Sequence, residues 1–435
     1  MNFCGFSIVS VRYPTNAEGW TDGVYHKRVP ARERADVIPV EGGGIVLPCR
    51  HWREKEESGW GVFDYVEAPE FSFASGLSDY TVKARFLNPT DAELPVRALV
   101  NDVCVLHGAV LPPNAETELS FTTASIFEES RLVFFVPDES VSERDAAPTR
   151  ELILLSLDAE ILPLREASSK PTLFLASDST VQTYDPYYYP QTGWGEVLYK
   201  YFKDPDFVSE YKPDGSSYSH CRAYELLNVI IENRAIGGRS SLSFYLEGKF
   251  AELLLRVKRG DTVLIQFGHN DATKARPNRY VSIPEYKECL RAFIRAVRAR
   301  GAVAALVTPV MRRSCDEERG TFNLSFPEHR DAMIELAEEE SSILLDLGKR
   351  SFEICTEVGC EGSKKLFLWT DAGVYSGAYK NGSTDSTHLQ RRGALIFAGA
   401  VAELISREPS LSSLAALLDP EKSFREYYPN GVTEQ

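Results

Sequence analysis

The chain has 435 residues, 43% hydrophobic and 26% charged, an ordinary globular composition in a length that favours two domains. Its net charge of −15 argues against nucleic acid or an anionic membrane as the main partner. No apolar run reaches the ~18–20 residues that cross a bilayer. The first residues carry no basic n-region, so the expected location is cytoplasmic.

Up to about residue 165 the sequence reads as short strands divided by turns. Residues 80–86 alternate apolar and polar, and 96–100, 103–107, 116–121, 131–136 and 151–161 follow. Turn signals recur between them and helical periodicity is scarce, which predicts an antiparallel β-sandwich or jelly roll. The polar stretch 138–149 reads as a loop inside this domain and 165–170 as a linker. From residue 171 the texture changes. Apolar strands at 172–175, 229–233, 263–267, 303–308 and 343–346 alternate with amphipathic stretches such as 286–300 and 327–340, and a last helix runs over about 390–406. That alternation predicts an α/β fold whose parallel sheet is covered on both faces. The expected domains are therefore 1–165 and 171–435.

The eight cysteines show no C-x-x-C pair and no zinc spacing, so they read as reduced, mostly buried thiols. The nearest in sequence, Cys355 and Cys360, would pair only in an oxidising compartment. No histidine cluster suits a catalytic metal, and neither a metal nor another cofactor is expected.

In an open α/β sheet, ligands bind beyond the carboxyl ends of the strands. Four polar or glycine-rich segments fall at such ends. Ser177-Asp178-Ser179-Thr180 follows the first strand, Gly237-Gly238-Arg239-Ser240 the second, and Gly268-His269-Asn270-Asp271 the third. Asp385-Ser386-Thr387-His388 precedes the last helix. A serine hydroxyl is a weak nucleophile until a base takes its proton. His388 is the candidate base and Asp385 the carboxylate that orients it, so Ser179, His388 and Asp385 form a candidate triad. Attack on an ester carbonyl creates an oxyanion that needs fixed donors. The N–H groups of Ser179 and Gly238 and the side-chain amide of Asn270 are the candidates.

These four blocks resemble those of the SGNH (GDSL-type) hydrolases, in particular the rhamnogalacturonan acetylesterase-like carbohydrate esterases. Gly393-Ala394 also match the start of that family's last helix, and the resemblance covers about residues 171–407. It implies a flavodoxin-like three-layer α/β/α domain and a metal-free serine esterase using the residues just named. One departure is Ser177, where the family has glycine; a left-handed backbone there would cost about 1–2 kcal/mol. More loosely, the β-rich half resembles the galactose-binding-like modules appended to such esterases.

Other residues draw structural readings. Asp178, His269 and Asp271 are expected to brace their loops, because adjacent residues cannot all face one ester. Tyr184, Tyr187, Tyr188, Tyr189 and Trp194 crowd the loop after Ser179, where packing competes with an aromatic platform for a sugar ring. Arg239, Lys274, Arg276, Arg279, Arg312 and Arg313 form either a solvated rim or an edge for uronate carboxylates. Tyr184, Trp194, Arg239 and Arg312 are the candidate substrate contacts. The function expected is removal of O-acetyl groups from pectin-derived, rhamnogalacturonan-type oligosaccharides through an acetyl-Ser179 intermediate. The alternatives are other acetylated glycans such as xylan or sialic acid, a lipid-like ester, or a glycan-binding protein with a vestigial hydrolase half. The expected partner is an acetylated oligosaccharide, with no nucleic acid and no membrane, and with self-association left open.

Overall fold

A computed structural model describes residues 2–13, 28–29, 38–40, 43–55, 62–276 and 278–429, with side chains at 40, 43–54, 65–276 and 278–429. The chain forms two compact units, Met1–Arg165 with Ser243–Arg256, and Glu166–Leu242 with Val257–Gln435.

Among the described residues the first unit is built of β-strands apart from a 3-10 turn at Arg144–Ala146 and the returning segment 243–256, and those strands pair antiparallel. The expected strands appear as Asp79–Asn88, Leu94–Val100, Val103–Leu111, Ala115–Ala124, Glu129–Phe135 and Arg150–Ile161. Longer strands at Ile45–Lys55 and Val62–Ala74 complete the centre of the sheet. Alternation explains the burial: Tyr80, Val82, Ala84 and Phe86 on one face of Asp79–Asn88 are buried, while Lys83 and Arg85 face water. Segment 243–256 was read with the second half of the chain. It belongs instead with the β unit, where Tyr245 donates its hydroxyl to the Asn101 carbonyl at 2.7 Å and Phe244, Phe250, Leu253 and Leu254 are buried.

The second unit has a seven-stranded sheet. Five strands run parallel in the spatial order Ile230–Asn233, Thr172–Ser177, Thr262–Gln266, Val303–Val307, Ile343–Leu345. Numbered along the chain this is order 2-1-3-4-5, the flavodoxin-like arrangement. Two short antiparallel strands, Ser209–Tyr211 and Arg222–Glu225, extend one edge. Thr262–Gln266 is buried at every position, as a strand covered by helices on both faces must be. The helix Ile283–Ala299 starts with a capping box in which the Ser282 N–H and hydroxyl both donate to Glu285. The last helix, Arg391–Arg407, fills the core with Ile396, Phe397, Ala400 and Val401. Gly393 lies against the Leu366 carbonyl, where a Cβ would collide.

The thiol expectation needs correction at one pair. Cys315 and Cys360 are joined as a disulfide, with Cα atoms 6.0 Å apart, tying the loop after the fourth parallel strand to the helix Leu347–Lys364. Cys49, Cys104, Cys221, Cys289 and Cys355 are free thiols, and the side chain of Cys4 lies outside the described residues.

Candidate active site

Three of the four sequence blocks follow neighbouring parallel strands of the sheet, and the Ile236 N–H donates to the Ser177 carbonyl at 2.9 Å to hold the second against the first. The chain leaves strand Thr172–Ser177 in a tight turn. The Asp178 carbonyl accepts the N–H groups of Val181 and Gln182, and Asp178 Oδ1 accepts the N–H and hydroxyl of Thr180 at 2.9 and 2.8 Å. Tyr184 donates its hydroxyl to the Ser179 carbonyl at 2.7 Å. Ser177 sits inside the strand and is not among the residues with left-handed backbone, so the strain anticipated there is absent. Its hydroxyl donates to the Gln266 carbonyl at 2.5 Å and accepts from Gln266 Nε2 at 3.3 Å, a link a glycine cannot make.

Asp385 and His388 lie on a strand of their own, Ser383–Leu389, paired antiparallel with Phe367–Thr370. His388 Nε2 is 3.0 Å from Ser179 Oγ, and His388 Nδ1 is 2.6 Å from Asp385 Oδ2. With Nδ1 protonated and its N–H donated to the Asp385 carboxylate, the Nε2 lone pair is free to accept the serine proton. Asp385 Oδ1 also accepts the N–H groups of Thr387 and His388 at 2.6 and 3.0 Å. Burial by itself would raise the Asp385 pKa. The hydrogen bond and charge of His388, with these two N–H groups, outweigh it and hold the carboxyl far below its usual range.

Among the described residues neither the Ser179 nor the Gly238 N–H has a protein acceptor. Gly238 is left-handed at φ 78°, and its missing Cβ leaves room for the Arg279 guanidinium, which lies 3.2 Å from where that carbon would stand. Arg279 Nη1 donates to Asn270 Oδ1 at 3.4 Å, and Asn270 Nδ2 donates to the Arg239 carbonyl at 2.9 Å. The amide is thereby fixed with its oxygen towards Arg279. Asp271 Oδ1 clamps the Ser241 N–H and hydroxyl at 2.9 and 2.6 Å, joining the second and third blocks. Burial pushes the Asp271 carboxyl up to about 7.

Asp178 and His269 brace the floor. His269 Nε2 is 2.6 Å from the Val310 carbonyl, and burial lowers the ring's pKa to about 4. Its Nδ1 faces Asp178 Oδ2 at 3.8 Å, and among the described residues neither atom has a hydrogen-bond partner.

The candidate substrate contacts fare differently. Trp194 is 1% exposed with its indole N–H donating to Gln266 Oε1, and so belongs to the core. Arg239 is 3% exposed and bonds the Gly237 carbonyl. Tyr184 is buried beneath the nucleophile turn. None of these three forms part of an open platform. Arg312 is half-buried, packed over Phe326 at 4.7 Å and bonded to the His269 carbonyl at 3.3 Å. Arg313 is buried, its side chain held by Ser363 and the Cys360 carbonyl, while its N–H donates to the Ser386 carbonyl between Asp385 and His388.

Sequence reasoning gave Gln182 no role, and noted Asn233 and Gln266 only as the starts of the polar segments at strand ends, without a bracing role. Gln182 Oε1 accepts the Gly237 N–H and the Tyr218 hydroxyl, and Asn233 Nδ2 donates to the Val181 carbonyl at 2.7 Å. Asn233 and Gln266 end their strands, and a polar residue at a strand's carboxyl end is the signal that marks them. Among the described residues one group combines potential metal ligands, Cys315, Glu317 and Cys360, and two of its members are joined as the disulfide.

A serine, histidine and aspartate in hydrogen-bond series on a 2-1-3-4-5 sheet define the class. The chain belongs to the GDSL-like lipase/acylhydrolase family, the SGNH hydrolases, whose family model matches residues 207–394. Over 231 residues it is 32% identical to the rhamnogalacturonan acetylesterase RhgT of Bacillus subtilis, covering 53% of this chain and 88% of that one. Over 232 residues it is 34% identical to the probable rhamnogalacturonan acetylesterase YesY of the same organism, covering 53% and 90%. A solved structure, that of YxiM from Bacillus subtilis, aligns with 93% of this chain and 90% of its own, with a TM-score of 0.44 and 19% identity.

Proposed function

We propose that this protein is a serine esterase that removes O-acetyl groups from rhamnogalacturonan-type oligosaccharides through an acetyl-Ser179 intermediate. The observation that carries the esterase reading is the series Asp385–His388–Ser179 at 2.6 and 3.0 Å, together with the Ser179 and Gly238 N–H groups, which have no protein acceptor among the described residues. Supporting the substrate are the relatives RhgT and YesY, one named and the other provisionally named for this activity.

In this mechanism His388 Nε2 takes the hydroxyl proton as Ser179 Oγ bonds to the acetyl carbon. The carbonyl electron pair moves to oxygen, held by the N–H groups of Ser179 and Gly238 and the second amide hydrogen of Asn270. Each such donor is worth about 3–4 kcal/mol of barrier. Asp385 stabilises the imidazolium. The ester bond then breaks, and His388 returns the proton to the departing sugar oxygen. Water, deprotonated by His388, attacks the acetyl-enzyme, releases acetate and restores Ser179.

Acetate release from acetylated rhamnogalacturonan oligosaccharides, acetylated xylooligosaccharides and p-nitrophenyl acetate tests both levels. The expected order of kcat/KM places the rhamnogalacturonan oligosaccharides first. Preference for the neutral xylan fragments would overturn the substrate, and undiminished turnover by Ser179→Ala would overturn the mechanism.

A further inference from the structure

A second feature of the C-terminal unit lies outside the acyl-transfer chemistry. Tyr189, Tyr375, Tyr427, Lys365, Arg391 and Arg392 line an open cleft of about 470 Å³. The rings of Tyr189 and Tyr375 meet edge-on with centroids 5.6 Å apart, and Tyr189 is 50% exposed. Lys365 and Arg392 are exposed, and among the described residues no carboxylate lies within ion-pair range of either. Arg391 has one acidic neighbour, Glu196, at 4.0 Å. Burial pushes that carboxyl up to about 7, so its charge is incomplete at neutral pH.

This is unusual in a chain of net charge −15, whose other cations are commonly matched. Lys287 and Arg291, for example, both reach Glu339, and Arg291 and Arg295 share Glu340. Three cations left without full partners around one hollow repel one another, and an anionic ligand relieves that repulsion. Arginine grips a carboxylate bidentately while lysine acts as a point charge. Tyrosine supplies an apolar face beside a polar hydroxyl. Together these recognise a ring that carries a carboxylate.

The cleft also adjoins the acetyl-transfer site. The Arg391 N–H donates to the Pro190 carbonyl at 3.0 Å and the Thr192 N–H to the Leu389 carbonyl at 3.1 Å, so the tyrosine loop and the start of the last helix are fastened together. Arg391 is three residues beyond His388, which limits their Cα separation to about 11 Å. One oligosaccharide can span that distance.

We propose that this cleft is a carboxylate-binding subsite for a uronate residue of the oligosaccharide whose acetyl group lies at Ser179. The proposal deepens the esterase reading and rests on it only for the second half of its test. The first half is calorimetric titration of full-length Ser179→Ala protein with an unacetylated galacturonate oligomer. Adding Lys365→Gln and Arg392→Gln together is expected to weaken binding at least about tenfold. Adding Tyr375→Ala is expected to weaken it by a smaller factor. Arg319→Gln, at an exposed cation outside the cleft lining, should bind as the parent does. Unchanged unfolding temperatures exclude misfolding as the cause. In the second half, acetate release from the acetylated oligomer by otherwise wild-type enzyme should show a KM raised about tenfold in the double variant, with kcat little changed. Equal binding by parent and double variant, or no binding of the galacturonate oligomer by the parent, overturns the subsite. Binding that depends on Lys365 and Arg392, with no acetate released from the acetylated oligomer, upholds the subsite and overturns the substrate proposed above.

Discussion

Arg279 has a part in the site that its own surroundings in the sequence do not announce. Its guanidinium occupies the space left by the missing Cβ of Gly238 and holds the oxygen of Asn270, which in the proposed mechanism fixes the end of the amide that meets the substrate. A hydrogen bond to a charged donor is worth about 1.5–3 kcal/mol, and the 3.4 Å length places this one at the lower end. Arg279→Ala should therefore lower kcat about tenfold on p-nitrophenyl acetate with less change in KM, and Arg279→Lys should recover part of the loss. Asp271 allows a test by pH. Burial is the main cause that raises its carboxyl to about 7 from 3.8, against the pull of Ser241. The folded state then holds the extra proton between about pH 4 and about pH 7. Stability falls as pH rises through that window, and the loss is complete above it. Asp271→Asn should remove this component. The difference in unfolding free energy between wild type and variant should change across the window and level off above it; a flat difference would contradict the assignment. The meeting of Ser179 with Asp385 and His388 could be read from the sequence because each sits in a short motif whose chemistry is local, and the oxyanion roles of Gly238 and Asn270 are proposed from motifs of the same kind. Arg279 could not, because its role depends on a glycine distant in the chain.

The hairpin Phe367–Thr370 with Ser383–Leu389 is the element that carries Asp385 and His388. Its brace is Trp369. The indole N–H donates to Ser386 Oγ at 3.2 Å, and the Arg313 guanidinium and the Lys364 ammonium lie 4.6 and 5.4 Å from the ring. Arg313 in turn donates its N–H to the Ser386 carbonyl at 2.8 Å. Trp369→Ala should cost about 2–3 kcal/mol of stability, since the ring is only partly buried, and should lower kcat by loosening Asp385 and His388. Trp369→Phe should restore most of the stability but less of the activity, as separate melting and turnover measurements would show. The sequence alone did not reveal this hairpin as strands. Ser-Thr-Asp-Ser-Thr-His has no apolar alternation, and the strand is half-buried along most of its length. The helix Leu347–Lys364 was equally obscure, since glycines at 348, 359 and 362 interrupt it and Gly359 is left-handed at φ 73°. By contrast the five parallel strands and the helices Ile283–Ala299 and Pro327–Glu339 were legible, because buried strands read as apolar runs and packed helices repeat every 3.6 residues.

At the scale of the whole molecule, the change of texture near residue 165 marks the passage from β unit to α/β unit, but the return of Ser243–Arg256 to the β unit is not written locally. Its pattern is that of any amphipathic helical segment, and nothing in it says which core its apolar face will join. The consequence is measurable. A fragment spanning 171–435 carries Phe244, Phe250, Leu253 and Leu254 without the unit that buries them. Exposing each fully buried apolar side chain costs about 1.5–3 kcal/mol. The fragment is expected to aggregate or to melt well below the full chain, and a monodisperse fragment with the full chain's unfolding temperature would contradict this division. The claim on which the rest depends is that acyl transfer passes through Ser179. Mass spectrometry of full-length protein quenched in acid during turnover of p-nitrophenyl acetate tests it most directly. The expected result is one added acetyl group on the peptide containing Ser179 and none in Ser179→Ala. Full turnover with the acetyl group on another residue, or with none on the protein, would contradict it.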